Sequence, residues 1–160
     1  MLTYRLTRSQ YLSKAFTGEG TKRAGGRWNY PGIPLIYTSS TLALALLETI
    51  VRLKAKYLPD GLIYFKVEMP DDIPMKKIEK KALPDAWANE IYDPYTQELG
   101  TKWAMSMTTA VLRVPSVISG EDYNYILNPQ HKDYSLIKIN KPVQISIDHR
   151  IKEMIGKSSL

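Results

Sequence analysis

The stretch Arg23-Ala-Gly-Gly-Arg27-Trp28-Asn29-Tyr30-Pro31-Gly32-Ile33-Pro34-Leu35-Ile36-Tyr37-Thr38-Ser39 decides how this chain is read. A double glycine between basic residues opens it, and Pro31 and Pro34 flank Gly32 and Ile33. Proline disfavours helix in the residue before it, so the segment from Thr17 to Gly32 reads as loop. Pro34 to Tyr37 then reads as a short buried strand. Ser39, Ser40 and Thr41 offer N-caps for a helix from Leu42 to about Tyr57. On that helix Ala43, Leu46, Leu47, Ile50 and Lys54 share one side, which predicts the core face.

The rest follows outward. Leu2 to Thr7 alternates like a half-buried strand. Pro59-Asp60-Gly61 is a turn signal, and Leu62 to Met69 carries the β-branched and aromatic residues of a strand. Pro70 to Pro84 is charged and punctuated by proline, which predicts irregular chain. Thr96 to Met107 reads as helix despite Gly100, with Trp103, Met105 and Met107 as core. Ala110 to Val114 reads as strand, Tyr123 to Leu127 as a turn of helix before Asn128-Pro129, and Tyr134 to Ile147 as one or two strands edged by Pro142. Strands and helices alternate without a βαβ rhythm, which predicts an α+β mixed-sheet fold. No repeat or long linker divides the chain, so residues 1–160 are expected to form a single domain.

Hydrophobic residues make up 44% and charged residues 24%, the balance of an ordinary globular domain. The formal net charge of +6 attracts nucleic acid, anionic membrane, phosphorylated small molecules or an acidic protein without choosing among them. The absence of cysteine excludes disulfides, thiolate nucleophiles and cysteine metal sites. No signal-peptide run opens the sequence and no window approaches a membrane-spanning length, so a cytoplasmic protein is expected. The spacing of His131 and His149 makes no metal site. Neither a serine nucleophile elbow nor a phosphate loop is present.

Several residues carry candidate chemistry, each beside a plainer role. Arg27 offers phosphate a fixed fork of donors, or it is a solvated loop arginine stacked on Trp28. Arg5 lies inside a predicted strand and points either to solvent or into a pocket. Tyr37 offers a ring face to a flat base, or it is a core tyrosine. Glu48 is the only charge in the run Leu42 to Val51. It can stabilise a sugar cation, or it pairs with Arg52 across one helical turn. Ser116 follows Pro115 at a strand end. Asn124, Asn128 and His131 lie in a polar segment.

Taken together, these segments resemble the RES-domain family, the toxin half of a bacterial toxin–antitoxin system. The resemblance runs through Tyr4-Arg5-Leu6, Gly25-Gly26-Arg27-Trp28-Asn29 with Gly32 and Pro34, Tyr37, and Ala45-Leu46-Leu47-Glu48. It resumes at Gly100, Trp103, Val114-Pro115-Ser116 and Asn124 to Pro129 with His131. It implies a fold similar to ADP-ribosyltransferase toxins and NAD⁺ as substrate, without a metal. It implies catalysis by Glu48, Arg27 and Tyr37. Arg5, Arg27, Tyr37, Ser116 and Asn124 are the residues expected to hold NAD⁺, the two arginines on its pyrophosphate. The implied partner is an antitoxin protein, often with a helix-turn-helix DNA-binding part. No membrane or direct nucleic-acid partner is expected, and a homo-oligomer is compatible with this reading. The alternative is a basic nucleic-acid-binding or RNA-cleaving protein, suggested by the charge and the eleven tyrosines. Against it, the basic residues are scattered and no nucleic-acid motif is present.

Overall fold

The computed structural model describes residues 1–53, 60–89 and 93–157. Within them the chain forms β1 (Leu2–Arg8), α1 (Glu19–Ala24), β2 (Ile36–Ser39), α2 (Leu42–Leu53), β3 (Leu62–Glu68) and β4 (Met75–Lys77). It continues through α3 (Pro94–Ser106), β5 (Val111–Pro115), β6 (Tyr123–Leu127), β7 (Lys138–Ile139), β8 (Val143–Gln144) and α4 (His149–Lys157), with short 3-10 turns between. The strands make one mixed sheet in the order β4-β5-β6-β2-β1-β3-β7, with β8 also on β3. The β4–β5 pair is parallel and the others are antiparallel. This is the α+β class the sequence predicts.

The centre of the sheet is buried on both faces. Val111 and Leu127 enter one apolar cluster with Ile36, Phe65 and Val67. Their neighbours Leu112, Val114 and Ile126 enter a second, with Trp28, Leu35, Trp87 and Trp103. Successive strand residues point to opposite faces, so a strand covered twice reads as a continuous apolar run. The run of β6 is instead Tyr123-Asn-Tyr-Ile-Leu127, too short and too polar at its start to announce a strand. The expected helical turn there is corrected to a strand paired with both β5 and β2.

Other expectations need the same treatment. The segment Thr17 to Gly32 contains α1, a helix of six residues with glycine at both caps, too short to show a period. Pro70 to Pro84 contains β4 and a 3-10 turn, because β5 supplies β4 with its ladder partner. Trp103 is buried as expected, but Met105 and Met107 are exposed at 70% and 43%. Met107 ends α3 in the left-handed conformation, which turns it off the core face. The helix α4 was not anticipated. Pro142 does separate two short edge strands, both on β3.

Helix α2 packs on β1 and β2. Thr41 caps it, accepting the Leu44 amide at 3.1 Å. Its inward face is rotated from the expected one. Leu44 and Ala45 are buried, whereas Ala43 and Leu47 are exposed. The cause is that Glu48 and Arg52 face a cleft, so the inward side is partly polar and the apolar periodicity points elsewhere. Residues 54–57, the expected end of this helix, and Pro59 of the expected turn lie outside the described residues.

Candidate active site

The loop before β2 is held by polar contacts. Asn29, fully buried, donates from Nδ2 to the carbonyls of Thr21, Tyr30 and Ile33. The Tyr37 hydroxyl donates to Asn29 Oδ1 at 2.7 Å and accepts the Trp28 amide at 3.0 Å. Gly25 sits at φ 70°, in the region that favours glycine. Gly26 is needed for space: a Cβ there would lie 2.7 Å from the Tyr37 hydroxyl and 3.0 Å from Asn29 Oδ1. The double glycine therefore admits a tyrosine.

This loop, the cleft side of α2 and the ends of β5 and β6 enclose a cleft of about 680 Å³, within the size range of small-molecule sites. Arg27, Tyr37, Glu48 and Asn124 line it, as does Arg52, which stands one helical turn beyond Glu48. Pro115, Val117 and Ile118 make an apolar wall. Arg27 donates from Nη1 to the Trp87 carbonyl and from Nη2 to the Asn89 carbonyl at 2.9 Å. Its fork is thus held by a strap that sequence reasoning left unassigned.

Glu48 is the focus of the arrangement. Its Oε1 accepts from Ser116 Oγ at 2.9 Å and from Asn124 Nδ2 at 2.6 Å. Ser116 is fully buried and in turn accepts the amides of Ile118 (3.1 Å) and Ser119 (3.5 Å). Its hydroxyl proton is committed to the carboxylate, and Ser116 is not part of the cleft lining. Arg5 lines a recess of about 40 Å³ together with Ser39, Tyr37, Glu48, Arg52 and Asn124, the last four of which also line the cleft. Its Nε donates to the Ala15 carbonyl at 2.6 Å and its Nη1 to the Tyr37 carbonyl at 2.9 Å. Burial, and then the positive charge of Arg52, push its pKa down to about 10, against a small opposing effect of Tyr134. Arg5 remains a cation at neutral pH.

The structure therefore brings Arg27, Tyr37, Glu48 and Asn124 to one cleft, places Arg5 in the recess that adjoins it, and bonds Ser116 to Glu48. Arg52 was read only as an ion-pair partner. Its position four residues after Glu48 was the available signal. Asn128 and His131 serve the scaffold. Asn128 Nδ2 donates to the Ala104 carbonyl, and His131 contacts the Met107 carbonyl while its Nδ1 accepts the Asp133 amide. Among the described residues, no group of histidine and acidic side chains is placed to hold a metal ion. No helix among them is long and apolar enough to cross a membrane.

Comparison with known proteins identifies the family and the fold. The family described as RES domain matches residues 2–148. The protein "Toxin Res" of Yersinia enterocolitica serotype O:8 / biotype 1B is 31% identical over 153 residues, covering 95% of this chain and 100% of that protein. The "Prs ADP-ribosylating toxin" of Sphingobium sp. strain YBL2 is 38% identical over 134 residues, covering 82% of this chain and 83% of that one. A chain of the crystal structure of the M. tuberculosis MbcT–MbcA toxin–antitoxin complex superposes with a TM-score of 0.72 at 16% identity, over 98% of this chain and 88% of its own length. At that identity the likeness speaks for the fold.

Proposed function

This chain belongs to the RES-domain family, and from that premise we propose that it is the toxin of a toxin–antitoxin pair, acting on NAD⁺ by breaking the nicotinamide–ribose bond. The observation that carries the proposal is the carboxylate of Glu48, fixed on a cleft wall by two donors on one oxygen, with the Tyr37 ring and two guanidinium groups on the same cleft. The relative named for ADP-ribosylation points to the same bond.

Nicotinamide departs as a neutral group, and the ribose passes through a cation like that of glycoside cleavage. Departure needs no proton donor. The work is to hold the substrate and to meet the developing charge with a preorganised anion. Glu48 meets the charge. Asn124 and Ser116 prevent the carboxylate from reorienting. The Tyr37 ring packs on nicotinamide. Arg27 and Arg52 hold the pyrophosphate. Arg5 supports the site from the adjoining recess, through the Tyr37 carbonyl and through its charge. The acceptor of ADP-ribose is water, phosphate or a protein side chain. The whole chain acts as one domain, and its activity is restrained by an antitoxin protein that covers the cleft. That partner carries acidic or C-terminal carboxylate groups, which match the cleft arginines.

The test is release of nicotinamide from NAD⁺ by the purified chain in phosphate buffer, with and without cell extract as a source of protein acceptor, followed chromatographically, with Glu48→Gln beside it. The expected result is release by the parent and a loss of about a hundredfold or more in the variant. A folded, partner-free parent that releases none refutes the proposal.

A further inference from the structure

The Glu48 carboxylate is the end of a longer chain of hydrogen bonds. Ser39 closes β2, is 5% exposed and stands opposite Asn124 of β6 in the ladder. Its hydroxyl donates to Asn124 Oδ1 at 2.7 Å. Asn124 Nδ2 donates to Glu48 Oε1 at 2.6 Å. A carboxylate only accepts hydrogen bonds, so the amide must turn its NH₂ end to Glu48. Its oxygen then points back to the sheet and needs a donor there. Ser39 supplies that donor. Were it absent, Oδ1 would be a partly buried acceptor without its partner, and the amide would turn toward whatever donor it could find. Donation into Oδ1 also polarises the amide and strengthens the bond at its NH₂ end. Ser116 donates to the same carboxylate oxygen, so Glu48 is held directly by one serine and through Asn124 by the other.

We propose that Ser39 is a positioning residue for the reaction: it lines the small recess beside the cleft, not the cleft itself, and acts through Asn124 to hold Glu48. The geometry selects it over the neighbouring hydroxyls. Thr38 donates to the Tyr125 carbonyl and Thr41 caps α2, so both serve the backbone. Ser39 alone of these hydroxyls reaches the carboxylate through one intervening side chain.

The inference rests on the NAD⁺-consuming reading of the cleft, and two independent readouts separate the one from the other. The first is a kinetic double-mutant cycle on nicotinamide release, with Ser39→Ala, Asn124→Ala and the double variant. Ser39→Ala is expected to lower kcat by about three- to tenfold, the worth of one hydrogen bond, with KM unchanged. The double variant should be no slower than Asn124→Ala alone, because Ser39 has nothing to act through once the amide is gone. Ser39→Thr keeps the hydroxyl and should return kcat. Ser39→Cys keeps the volume with a weaker donor and should fall between, which preserves the test should alanine unfold the chain. The second readout is the NMR signal of the Asn124 side-chain amide. A proton bonded to Glu48 should resonate downfield and exchange slowly, and Ser39→Ala should shift it and speed its exchange. Additive losses in the cycle, a raised KM at unchanged kcat, or an unmoved Asn124 amide would overturn the role of Ser39. A parent that releases no nicotinamide but whose Asn124 amide responds as described would uphold the hydrogen-bond chain and refute the reaction assigned to it.

Discussion

Replacing Gly100 by alanine sets two physical effects against each other and so tests the loop geometry directly. Gly100 is inside α3, where helix propensity alone favours alanine by about 1 kcal/mol. Here, however, a Cβ would lie 2.0 Å from the Trp28 carbonyl oxygen and 2.8 Å from its carbon. Those are backbone atoms and cannot swing aside. The loop would have to retreat from α3 by more than an ångström, straining the Trp28 amide bond to Tyr37 and the Gln97 bond to the Gly26 carbonyl. Two such bonds at about 1 kcal/mol each, with overpacking of about 1–3 kcal/mol, outweigh the propensity gain. The net expectation is a loss of about 2–4 kcal/mol, or a thermal midpoint lower by about 4–16 °C for a chain of this size. Because the displaced loop carries Arg27, nicotinamide release should fall as well. Urea and thermal unfolding of Gly100→Ala and parent decide the matter. A variant as stable as the parent, or more so, would refute the close approach of loop and helix.

Three further outcomes follow from separate parts of the molecule. Tyr37→Phe strands the Trp28 amide and Asn29 Oδ1 and should cost about 1–3 kcal/mol in a urea titration, while KM for NAD⁺ changes little because the ring face remains. Ser116→Ala removes a donor to Glu48 from a fully buried position; steady-state assays should show kcat lower by about ten- to a hundredfold with KM retained. The Asn140 hydrogen bond, and then Lys138, hold the Glu68 pKa below its ordinary value. A depressed carboxylate stabilises the fold above its unfolded pKa and loses that contribution as pH falls through the folded one. Asn140→Ala should therefore raise the Glu68 titration point in an NMR experiment and shrink the acid-side loss of stability below about pH 5.

Local signals announced the elements whose character is complete within a few residues. Leu62 to Glu68 carries aromatic and β-branched residues, and the structure forms β3 over that span. Thr41 caps α2 with a hydrogen bond within its own first turn. What stayed hidden depends on distant partners. Tyr123 to Leu127 is a strand because β5 and β2 flank it. The inward side of α2 carries Glu48 because a cleft, rather than core, lies beneath part of it. Within the site, the residue types were legible and their partners were not. Ser116 stands out as a polar group at a strand end and Asn124 in a polar segment, but that both grip Glu48 can be seen only across 68 and 76 residues of separation. Arg27 is tethered by carbonyls from a segment without recognisable pattern, because a backbone carbonyl leaves no mark in a sequence.

That separation also governs when the site comes into being. Glu48 is translated long before the two side chains that hold it, and the central strand β6 arrives late, between elements made earlier. Contacts this far apart form only after a large loop has closed. At about 5–20 residues per second, several seconds of synthesis separate Glu48 from Asn124. A nascent chain halted between residues 52 and 116 carries the cleft arginines, tyrosine and glutamate without a fixed carboxylate. The fixed carboxylate is thus a property of the nearly finished chain, since β1, β2 and α2 alone hold neither of its two donors.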